Sequence, residues 1–417
     1  MSAQPVPRIV IIGGGAAGFF AAVTCAQRNR EAHVTLLEGT RQPLDKVRIS
    51  GGGRCNVTHH CLDPAALVSG YPRGHRELLG AFHRFQPRNT IDWFARRGVQ
   101  LKVEEDGRMF PVTDQSSTIV DCMISAATEF GVDFREGSLV TEIIRQDVSP
   151  ERKELLVRLQ GGAELLADRV LLASGNSAQG HRLAASLGHT IIPCVPSLFT
   201  FKISDRRLTG LSGISVPDVN LKLAAGGETF VQRGPLLITH WGLSGPAVLK
   251  LSAWGARALA TARYRAELTI NWLPTFTDEE LRDRLSQARL EHARKSIVAA
   301  GLEPIPRRLW ASLVALIEIS DQLTWANLPR EQFDSLKLQL SQGVFGVIGK
   351  GAFKEEFVTC GGVSLKEVDF RTMESRLCPG LYLAGEILDI DGITGGFNFQ
   401  SAWTTGFIAG ESMAGSI

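Results

Sequence analysis

A glycine turn close to the start of the chain limits what this sequence can fold into. Gly13, Gly15 and Gly18 form a G-x-G-x-x-G pattern that follows an apolar run at residues 9–12 and opens a helix-like segment. The first glycine of such a pattern permits a tight turn, the second lets a pyrophosphate approach the backbone, and the third lets the helix pack on the strand. A second strand-like run ends at Glu38, where a carboxylate can accept hydrogen bonds from ribose hydroxyls. These features predict a strand–helix–strand unit that binds a dinucleotide.

A second glycine-rich segment follows at residues 46–58. Its three consecutive glycines, at 51–53, can place several backbone N–H groups around an anion or a flat ring, while Lys46, Arg48 and Arg54 supply positive charge. Because this segment follows the predicted phosphate site so closely, a ligand-binding loop is favoured over a solvated flexible loop.

Two later segments again bring an apolar strand to a glycine. One runs from Val170 to Gly175, and the other ends at Gly385 and Glu386. Glycine at the carboxyl edge of a parallel sheet lets the backbone approach a cofactor, and a carboxylate there suits ribose or ribityl hydroxyls. The chain then closes with a helix-like segment rich in alanine and glycine. Its N-terminus, near Gly396 and Asn398, can direct N–H groups at the electron-rich carbonyl side of a flavin. Both ends of the chain are therefore predicted to build one site.

Length and composition narrow the class of protein. A chain of 417 residues exceeds what one hydrophobic core usually supports, so two or three domains are expected. The net charge of +2 is too small to favour nucleic acid or an anionic membrane as a partner. The sequence contains neither a secretory signal nor an apolar span of eighteen residues, so a cytoplasmic enzyme is expected. The seven cysteines lack C-x-x-C spacing and do not cluster with histidine, so neither disulfides nor a metal site is predicted.

Changes in pattern along the chain suggest the domain organisation. Residues 1–195 and 345–417 carry the cofactor-style motifs, residues 196–276 form short β-like runs between Gly/Pro turns, and residues 277–344 have helical periodicity that begins at a capping box. The fold class predicted is α/β, with a Rossmann-like domain formed by both chain ends and an inserted β-barrel-like part plus a small helical part. Residues 343–349 keep helical spacing, and this argues against a second dinucleotide fingerprint there.

Three strings give the sequence a family resemblance. They are R-I-S-G-G-G-R-C-N-V-T at residues 48–58, T-H-W-G-L-S-G-P at 239–246, and A-G-E-I-L-D-I-D-G-I-T-G-G-F-N at 384–398. Together they resemble the YhiN/BaiN-type bacterial flavoproteins, which belong to the two-dinucleotide-binding-domain flavoproteins, and the resemblance covers nearly the whole chain. It implies bound FAD and an oxidoreductase that passes hydride or electrons between a small-molecule substrate and NAD(P)H or oxygen. NAD(P)H, where used, would bind transiently over the flavin.

The same resemblance assigns cofactor contacts residue by residue. The turn at residues 13–18 and Glu38 would hold the ADP half, whereas the segments around Lys46, residues 50–56, Glu386 and residues 395–398 would surround the flavin half. One departure is a short loop after Gly175, where the family pattern has a longer glycine-rich loop. The full set is Gly13, Gly15, Ala16, Ala17, Gly18, Glu38, Gly39, Lys46, Ser50, Gly51, Gly52, Gly53, Arg54, Cys55, Asn56, Val140, Ala173, Ser174, Gly175, Gly385, Glu386, Asp391, Gly395, Gly396, Phe397 and Asn398.

Two residues are candidates for chemistry, and they leave alternatives open. Cys55 and Cys61 resemble the position of the redox pair in disulfide reductases, but the spacing is C-x5-C and the C-terminus lacks the His-Glu pair of those enzymes. His240 can face a substrate, or it can be a hydrogen-bonded structural histidine. A third alternative is a non-catalytic flavin-binding module whose insert docks a protein or RNA. The sequence selects neither a substrate nor an oligomeric state.

Overall fold

The computed structural model describes residues 6–147, 153–351 and 358–415, which fall into two compact units. The first unit joins the two ends of the chain, Met1–Cys194 and Thr359–Ile417. The second unit is the intervening segment, Val195–Val358. Each unit buries a hydrophobic core of its own, as expected for a chain too long for a single core.

The described strands run through both units. They are β1 (Arg8–Ile12), β2 (His33–Leu37), β3 (Thr58–His59), β4 (Leu101–Val103), β5 (Arg108–Pro111), β6 (Asp133–Arg135), β7 (Val140–Asp147), β8 (Lys153–Leu159), β9 (Glu164–Ala167), β10 (Arg169–Leu172), β11 (Ile191–Ser197), β12 (Phe201–Ile203), β13 (Ser215–Ala225), β14 (Glu228–Thr239), β15 (Gly242–Ser244), β16 (Ala266–Asn271), β17 (Gly343–Lys350), β18 (Val358–Val363), β19 (Val368–Asp369), β20 (Glu374–Ser375) and β21 (Leu381–Leu383).

The described helices lie between these strands. They are α1 (Ala16–Arg28), α2 (Asp45–Gly53), α3 (Pro64–Val68), α4 (His75–Arg84), α5 (Pro87–Ala95), α6 (Ser116–Glu129), α7 (Ala178–Ser186), α8 (Pro246–Trp254), α9 (Ala256–Thr261), α10 (Asp278–Glu291), α11 (Arg307–Leu316), α12 (Arg330–Gln342) and α13 (Phe397–Met413). No helix in the described ranges combines the length and apolar character needed to cross a membrane.

The first unit is organised around a sheet with the strand order β19-β20-β21-β10-β1-β2-β6. The five strands from β21 to β6 pair in parallel, and β1 lies at their centre. The four residues after Arg8 in β1 are all buried, as its unbroken apolar sequence predicts for a strand covered on both faces. The carboxyl ends of β1, β2, β10 and β21 therefore meet at one edge of the sheet, where ligands bind in open α/β folds.

The first and last helices pack against each other at unusually close range. Gly406 and Gly410 of α13 face the backbone of α1, and a Cβ atom at these positions would lie 2.5 Å from the Ala17 carbonyl oxygen and 2.6 Å from that of Ala21. Only glycine permits this approach. The contact fixes the end of the chain against its beginning.

The second unit contains a closed barrel with the strand order β12-β15-β14-β13-β16-β17. Along β13, β16 and β17 the side chains alternate between the buried interior and the outside, which is the pattern of a barrel filled by its own side chains. The α/β fold class with a barrel and a helical region, as predicted from the sequence, is confirmed.

The helical spacing predicted for residues 343–349 is wrong, because this segment is strand β17. Phe345 and Val347 are buried while Val344 and Ile348 are exposed, so the burial period is two. Strand β17 pairs antiparallel with β12 and β16. An antiparallel barrel strand cannot be the first strand of a parallel βαβ unit, so the segment still provides no second dinucleotide fold.

The helical part of the second unit contains α10, α11 and α12. Helix α10 starts at the predicted capping box: the Glu280 N–H donates to Thr277 Oγ1 at 3.2 Å, and the Thr277 N–H donates to Glu280 Oε2 at 2.8 Å. Arg207 joins these helices to the barrel. Its buried guanidinium pairs with Asp205 at 2.6 Å, donates to Gln339 on α12 at 2.9 Å, and lies 3.6 Å from the ring centroid of Phe345 on β17.

A buried histidine makes the stability of the first unit sensitive to pH. His189 Nδ1 lies 3.0 Å from Glu367 Oε2, and Nε2 lies 2.8 Å from Ser375 Oγ. Because Ser375 Oγ already accepts the N–H groups of Leu377 and Cys378, its own hydrogen is left for Nε2, so the imidazole is neutral with its hydrogen on Nδ1. Burial lowers the pKa of His189, although Glu367 opposes this shift.

Replacing His189 tests this pH dependence. In the unfolded chain His189 takes up a proton below about pH 6.5, whereas in the folded chain its lowered pKa disfavours protonation. The free energy of unfolding therefore falls by up to about 1 kcal/mol as the pH drops from about 7.5 to about 5.5. The variant His189→Gln should be less stable than the wild type by about 1–2 kcal/mol at pH 7.5, and urea unfolding should show that difference narrowing at pH 5.5. The exposed His83→Gln is the control. A difference that does not change with pH would contradict the assignment.

Candidate cofactor site

The turn at residues 13–18 has one crowded side and one open side. A Cβ atom at Gly13 would lie 2.4 Å from the Ala173 carbonyl oxygen, and one at Gly18 would lie 1.9 Å from the Gly13 carbonyl oxygen. At Gly15, in contrast, a Cβ atom would meet no atom within 4 Å. Helix α1 begins directly after Gly15 without a side-chain cap. The N-terminal N–H groups of α1, among them those of Ala16 and Ala17, therefore adjoin an open space that suits a phosphate.

The end of β2 supplies a carboxylate beside this turn. Glu38 accepts the Gly14 N–H through Oε2 and the Thr40 N–H through Oε1, both at 2.8 Å. The side chain is half-buried and fixed at the sheet edge, where it can also accept a ribose hydroxyl. Gly39 follows it, against Leu139.

Val140 begins β7 and is almost fully buried, at 2% exposure. Its carbonyl oxygen accepts a hydrogen bond of 3.1 Å from Gln179 Nε2, which also donates to the Thr141 carbonyl oxygen at 3.2 Å. Gln179 lies in the first turn of α7, directly after the short loop that follows Gly175. The amide thus joins α7 to β7, a connection that the sequence pattern does not reveal.

The end of β10 lies between the turn and the C-terminal carboxylate. Gly175 has a φ of +58°, and a Cβ atom there would lie 3.8 Å from Glu386 Oε2. The preceding hydroxyl oxygen, Ser174 Oγ, is buried without a partner among the described residues. An unpaired buried hydroxyl is the kind of group that a bound ligand or an ordered water satisfies.

An ion pair connects the two chain ends at this edge. Lys46 Nζ, on α2, contacts Glu386 Oε2 in the short 3-10 helix that follows β21. The other oxygen of Glu386 accepts the Thr359 N–H at 3.4 Å, and Thr359 Oγ1 accepts from Asn176 Nδ2 at 2.6 Å. The predicted residues Lys46, Gly175, Gly385 and Glu386 are therefore neighbours in space, and the polar groups around them suit a hydroxylated chain such as ribityl.

The triple-glycine turn, residues 51–53, ends helix α2. Ser50 is extended, and the three glycines have φ values of +58°, +70° and +84°. A Cβ atom at Gly52 or Gly53 would meet no atom within 4 Å. This turn therefore presents open backbone at Gly52 and Gly53, and its role as a ligand-binding loop stays a prediction.

Asn56 connects that turn to the C-terminal helix. With its amide oriented so that Nδ2 donates to the Thr58 carbonyl oxygen at 3.2 Å, Oδ1 accepts the Gly396 N–H at 3.0 Å. Gly396 precedes α13, which starts at Phe397 without a side-chain cap. The uncapped N-terminus of a second helix is thus held beside the glycine turn, where it can stabilise negative charge on a ligand.

Three predicted contact residues have their side chains committed elsewhere. Asp391 is fully buried and pairs with Arg73, so the direct cofactor contact predicted for it is not supported. The Asn398 amide accepts the Gly392 N–H at 2.8 Å and donates to the Gly392 carbonyl oxygen at 2.9 Å. Phe397 is 7% exposed and packs between His59 and Tyr71. Asp391, Phe397 and Asn398 shape the segment around Gly395 rather than offering their side chains to a ligand.

The two candidates for chemistry lie in different units. Cys55 is fully buried, and burial raises the pKa of its thiol to about 12. A thiol of that kind is protonated at neutral pH and is a poor nucleophile. His240 lies in the second unit, in the turn between β14 and β15, and is exposed.

A buried polar network behind the site could not be predicted from the sequence. Gln400 of α13 is fully buried, and its Oε1 accepts from Thr58 Oγ1 at 2.6 Å and from Thr90 Oγ1 at 2.9 Å. Trp403 Nε1 donates to the Val57 carbonyl oxygen at 2.9 Å. The hint in the sequence is that α13 carries several polar residues, among them Gln400 and Thr404, between its apolar ones. Within residues 6–147, 153–351 and 358–415, no group of three His, Cys, Asp or Glu side chains is arranged to hold a metal ion.

The fold and this site together define a Rossmann-like dinucleotide-binding flavoprotein assembled from both chain ends. The sequence model of the HI0933-like protein Rossmann domain matches residues 7–412. The chain belongs to this family, which confirms the YhiN/BaiN-type resemblance.

Two of the relatives that cover nearly the whole chain illustrate the similarity. One is the 3-dehydro-bile acid delta(4,6)-reductase of Clostridium scindens, which is 29% identical over 98% of this chain and 99% of its own length. The other is the ribosomal RNA dihydrouridine synthase of Escherichia coli, which is 30% identical over 97% of each chain. The fold is also similar to that of the 3-ketosteroid-delta4-(5alpha)-dehydrogenase of Rhodococcus jostii RHA1, with a TM-score of 0.52 and 14% sequence identity. The match covers 99% of this chain and 98% of the dehydrogenase. The protein is an FAD-dependent oxidoreductase, as predicted.

Two glycine substitutions separate the phosphate contact from the packing of the turn. In Gly15→Ser the new hydroxyl can cap α1, so the variant should keep wild-type stability while its affinity for FAD falls at least tenfold. In Gly18→Ala the added methyl clashes with the Gly13 carbonyl, so stability should fall by about 1–3 kcal/mol. Thermal unfolding without ligand and titration with FAD measure the two effects. Unchanged FAD affinity in Gly15→Ser would place the phosphates elsewhere.

Proposed function

We propose that this protein reduces a carbon–carbon double bond conjugated to a carbonyl group. The two relatives described above support this reaction type. A delta(4,6)-reductase of a 3-oxo steroid and a synthase of dihydrouridine both add two hydrogens to an alkene that is conjugated to a carbonyl. One observation in this chain carries the proposal. The helices α1 and α13 both start without a side-chain cap at one edge of the sheet, and the Lys46–Glu386 ion pair lies at the same edge.

The residues at that edge have distinct roles in the proposal. The N–H groups after Gly15 bind the pyrophosphate, and Glu38 accepts hydrogen bonds from the adenosine ribose. Glu386 accepts from ribityl hydroxyls while Lys46 holds its carboxylate in place. The N-terminus of α13 and the open glycines at 52 and 53 contact the isoalloxazine half. When bound and reduced by an external two-electron donor, FAD would supply the hydride, and a proton from solvent would complete the two hydrogens added to the alkene.

A small-molecule enone is the substrate class that we propose first. The net charge of +2 gives the chain no strong attraction for a polyanion. A uridine in RNA is the second candidate, because residues 196–276 contain nine Lys and Arg against four Asp and Glu. A basic segment of this kind is the usual electrostatic footprint of nucleic-acid binding. The use of NAD(P)H and the cytoplasmic location remain predictions from the sequence.

Anaerobic stopped-flow spectroscopy tests the reaction type. The FAD-loaded protein is reduced with NADH, NADPH or dithionite and then mixed with a 4,6-dien-3-one steroid, a uridine-containing ribosomal RNA fragment, or the saturated ketone as a control. We expect the dienone to reoxidise the flavin at least tenfold faster than the saturated ketone and to gain two hydrogens by mass spectrometry. Faster reoxidation by the RNA would select the second candidate. Reoxidation by neither acceptor would refute the proposed reaction.

The variant Cys55→Ser tests the disulfide-reductase alternative. Because the Cys55 thiol is buried and its pKa is about 12, we expect flavin reduction by dithiothreitol in the variant to stay within about twofold of the wild-type rate. The same preparation should retain its FAD absorbance. A selective loss of dithiol oxidation, with alkene reduction intact, would instead establish Cys55 as a redox thiol.

A further inference from the structure

Arg54 does not have the role that its sequence position suggests. It follows the triple-glycine turn and looks like a cation for a cofactor phosphate. In the structure its NH1 donates to Glu104 Oε1 at 2.7 Å and lies 3.6 Å from Asp114 Oδ1. The charge of Arg54 is therefore matched by carboxylates of the β4–β5 hairpin and its flank.

The triple-glycine turn needs support from outside itself. Helical backbone geometry stops at Ser50, the three glycines that follow have positive φ, and the turn is closed by the Arg54 and Cys55 N–H groups, which both donate to the Ser50 carbonyl oxygen. Beneath it lies the ring of Phe110, which is fully buried. A Cβ atom at Gly51 would lie 2.9 Å from Phe110 Cε1, whereas Gly52 and Gly53 face open space. One side of the turn is thus packed and the other is open.

Arg54 covers the same ring from outside. Its guanidinium carbon lies 3.9 Å from the Phe110 ring centroid, and its Nε lies 3.4 Å from the Gly51 carbonyl oxygen. The planar guanidinium therefore stacks on the aromatic ring, contacts the turn and pairs with Glu104 at once, an arrangement that lysine cannot reproduce. The guanidinium and the ring contact each other, and each of them also contacts the turn at Gly51.

We propose that Arg54 is a positioning residue that fixes the triple-glycine turn with its open side, at Gly52 and Gly53, toward the flavin, without touching the cofactor itself. The proposal rests on the cofactor placement given under Proposed function. It predicts that Arg54 controls how tightly FAD is held and how easily it is reduced. Its loss should accelerate FAD release and lower the reduction potential, because N–H dipoles that stabilise the electron-rich reduced flavin would be displaced.

Arg108 provides a matched control on the same hairpin. It also pairs with Glu104, at 2.9 Å, and its guanidinium carbon lies 5.5 Å from the Phe110 ring centroid, but its further partner is Asp106 rather than the glycine turn. Arg54→Gln and Arg108→Gln therefore remove the same charge from the same cluster. They differ in the contact with the turn.

The experiment compares the two variants as holoenzymes. FAD release is followed by the rise in flavin fluorescence on dilution, and the midpoint potential is measured against a reference dye. In Arg54→Gln we expect FAD release to be at least tenfold faster than in the wild type and the midpoint potential to be lower. In Arg108→Gln we expect the release rate to stay within twofold of the wild type and the midpoint potential to be unchanged. Arg54→Lys, which keeps the charge and loses the planar stacking, should also release FAD faster than the wild type.

Two outcomes would overturn the proposal. Equal changes in FAD release and potential in Arg54→Gln and Arg108→Gln would show that Arg54 acts only by stabilising the β4–β5 hairpin. Unchanged FAD release and potential in Arg54→Gln and Arg54→Lys would show that Arg54 does not position the triple-glycine turn. Since neither readout involves an alkene substrate, failure of the proposed reaction leaves this test unaffected.

Discussion

The close contact between α1 and α13 is the constraint on which the first unit depends. The carbonyl oxygens of Ala17 and Ala21 occupy the space that side chains at Gly406 and Gly410 would need. This contact brings the last helix of the chain against the first, although almost four hundred residues separate them. Because α1 starts at the phosphate turn, the same contact fixes where α13 starts. Two helix N-termini are thereby held at one sheet edge, and neither could be positioned by its own local sequence.

The polar network behind the site makes this arrangement specific. Gln400 Oε1 accepts hydrogen bonds from Thr58 on β3 and Thr90 on α5, and Trp403 Nε1 donates to the Val57 carbonyl oxygen. Helix α13 is therefore hydrogen-bonded to both elements. Each of these groups is buried and would be costly to leave unpaired. A displaced α13 would break several of these bonds together, in addition to the close glycine contacts with α1. The network therefore determines the register of the helix, and with it the position of Gly396 beside Asn56.

Local chemistry was predictable from the sequence, and long-range pairing was not. The phosphate turn, Glu38 and the capping box at Thr277 lie within short segments whose residue spacing encodes their geometry. The family resemblance assigned Asp391 to the cofactor, but its carboxylate pairs with Arg73, 318 positions away. Residues 343–349 were misread because their glycines recur at every third position, as on a helix face. Their true period of two is evident only once the barrel provides an inside and an outside.

The charges around the site lead to a last point about how it holds an anion. Each of the three cations that the sequence offers to a phosphate already has another contact: Lys46 pairs with Glu386, Arg54 pairs with Glu104 and Asp114, and Arg48 Nε donates to the Pro43 carbonyl oxygen at 3.4 Å. These contacts would have to be broken before the side chains could turn to a phosphate. The work of binding two phosphate charges therefore falls on the backbone N–H groups after Gly15 and on the dipole of α1. Such donors are fixed by the helix and lose no side-chain entropy on binding. They also explain why the packing of Gly13 and Gly18 matters: those contacts set the angle at which the N–H groups meet the cofactor.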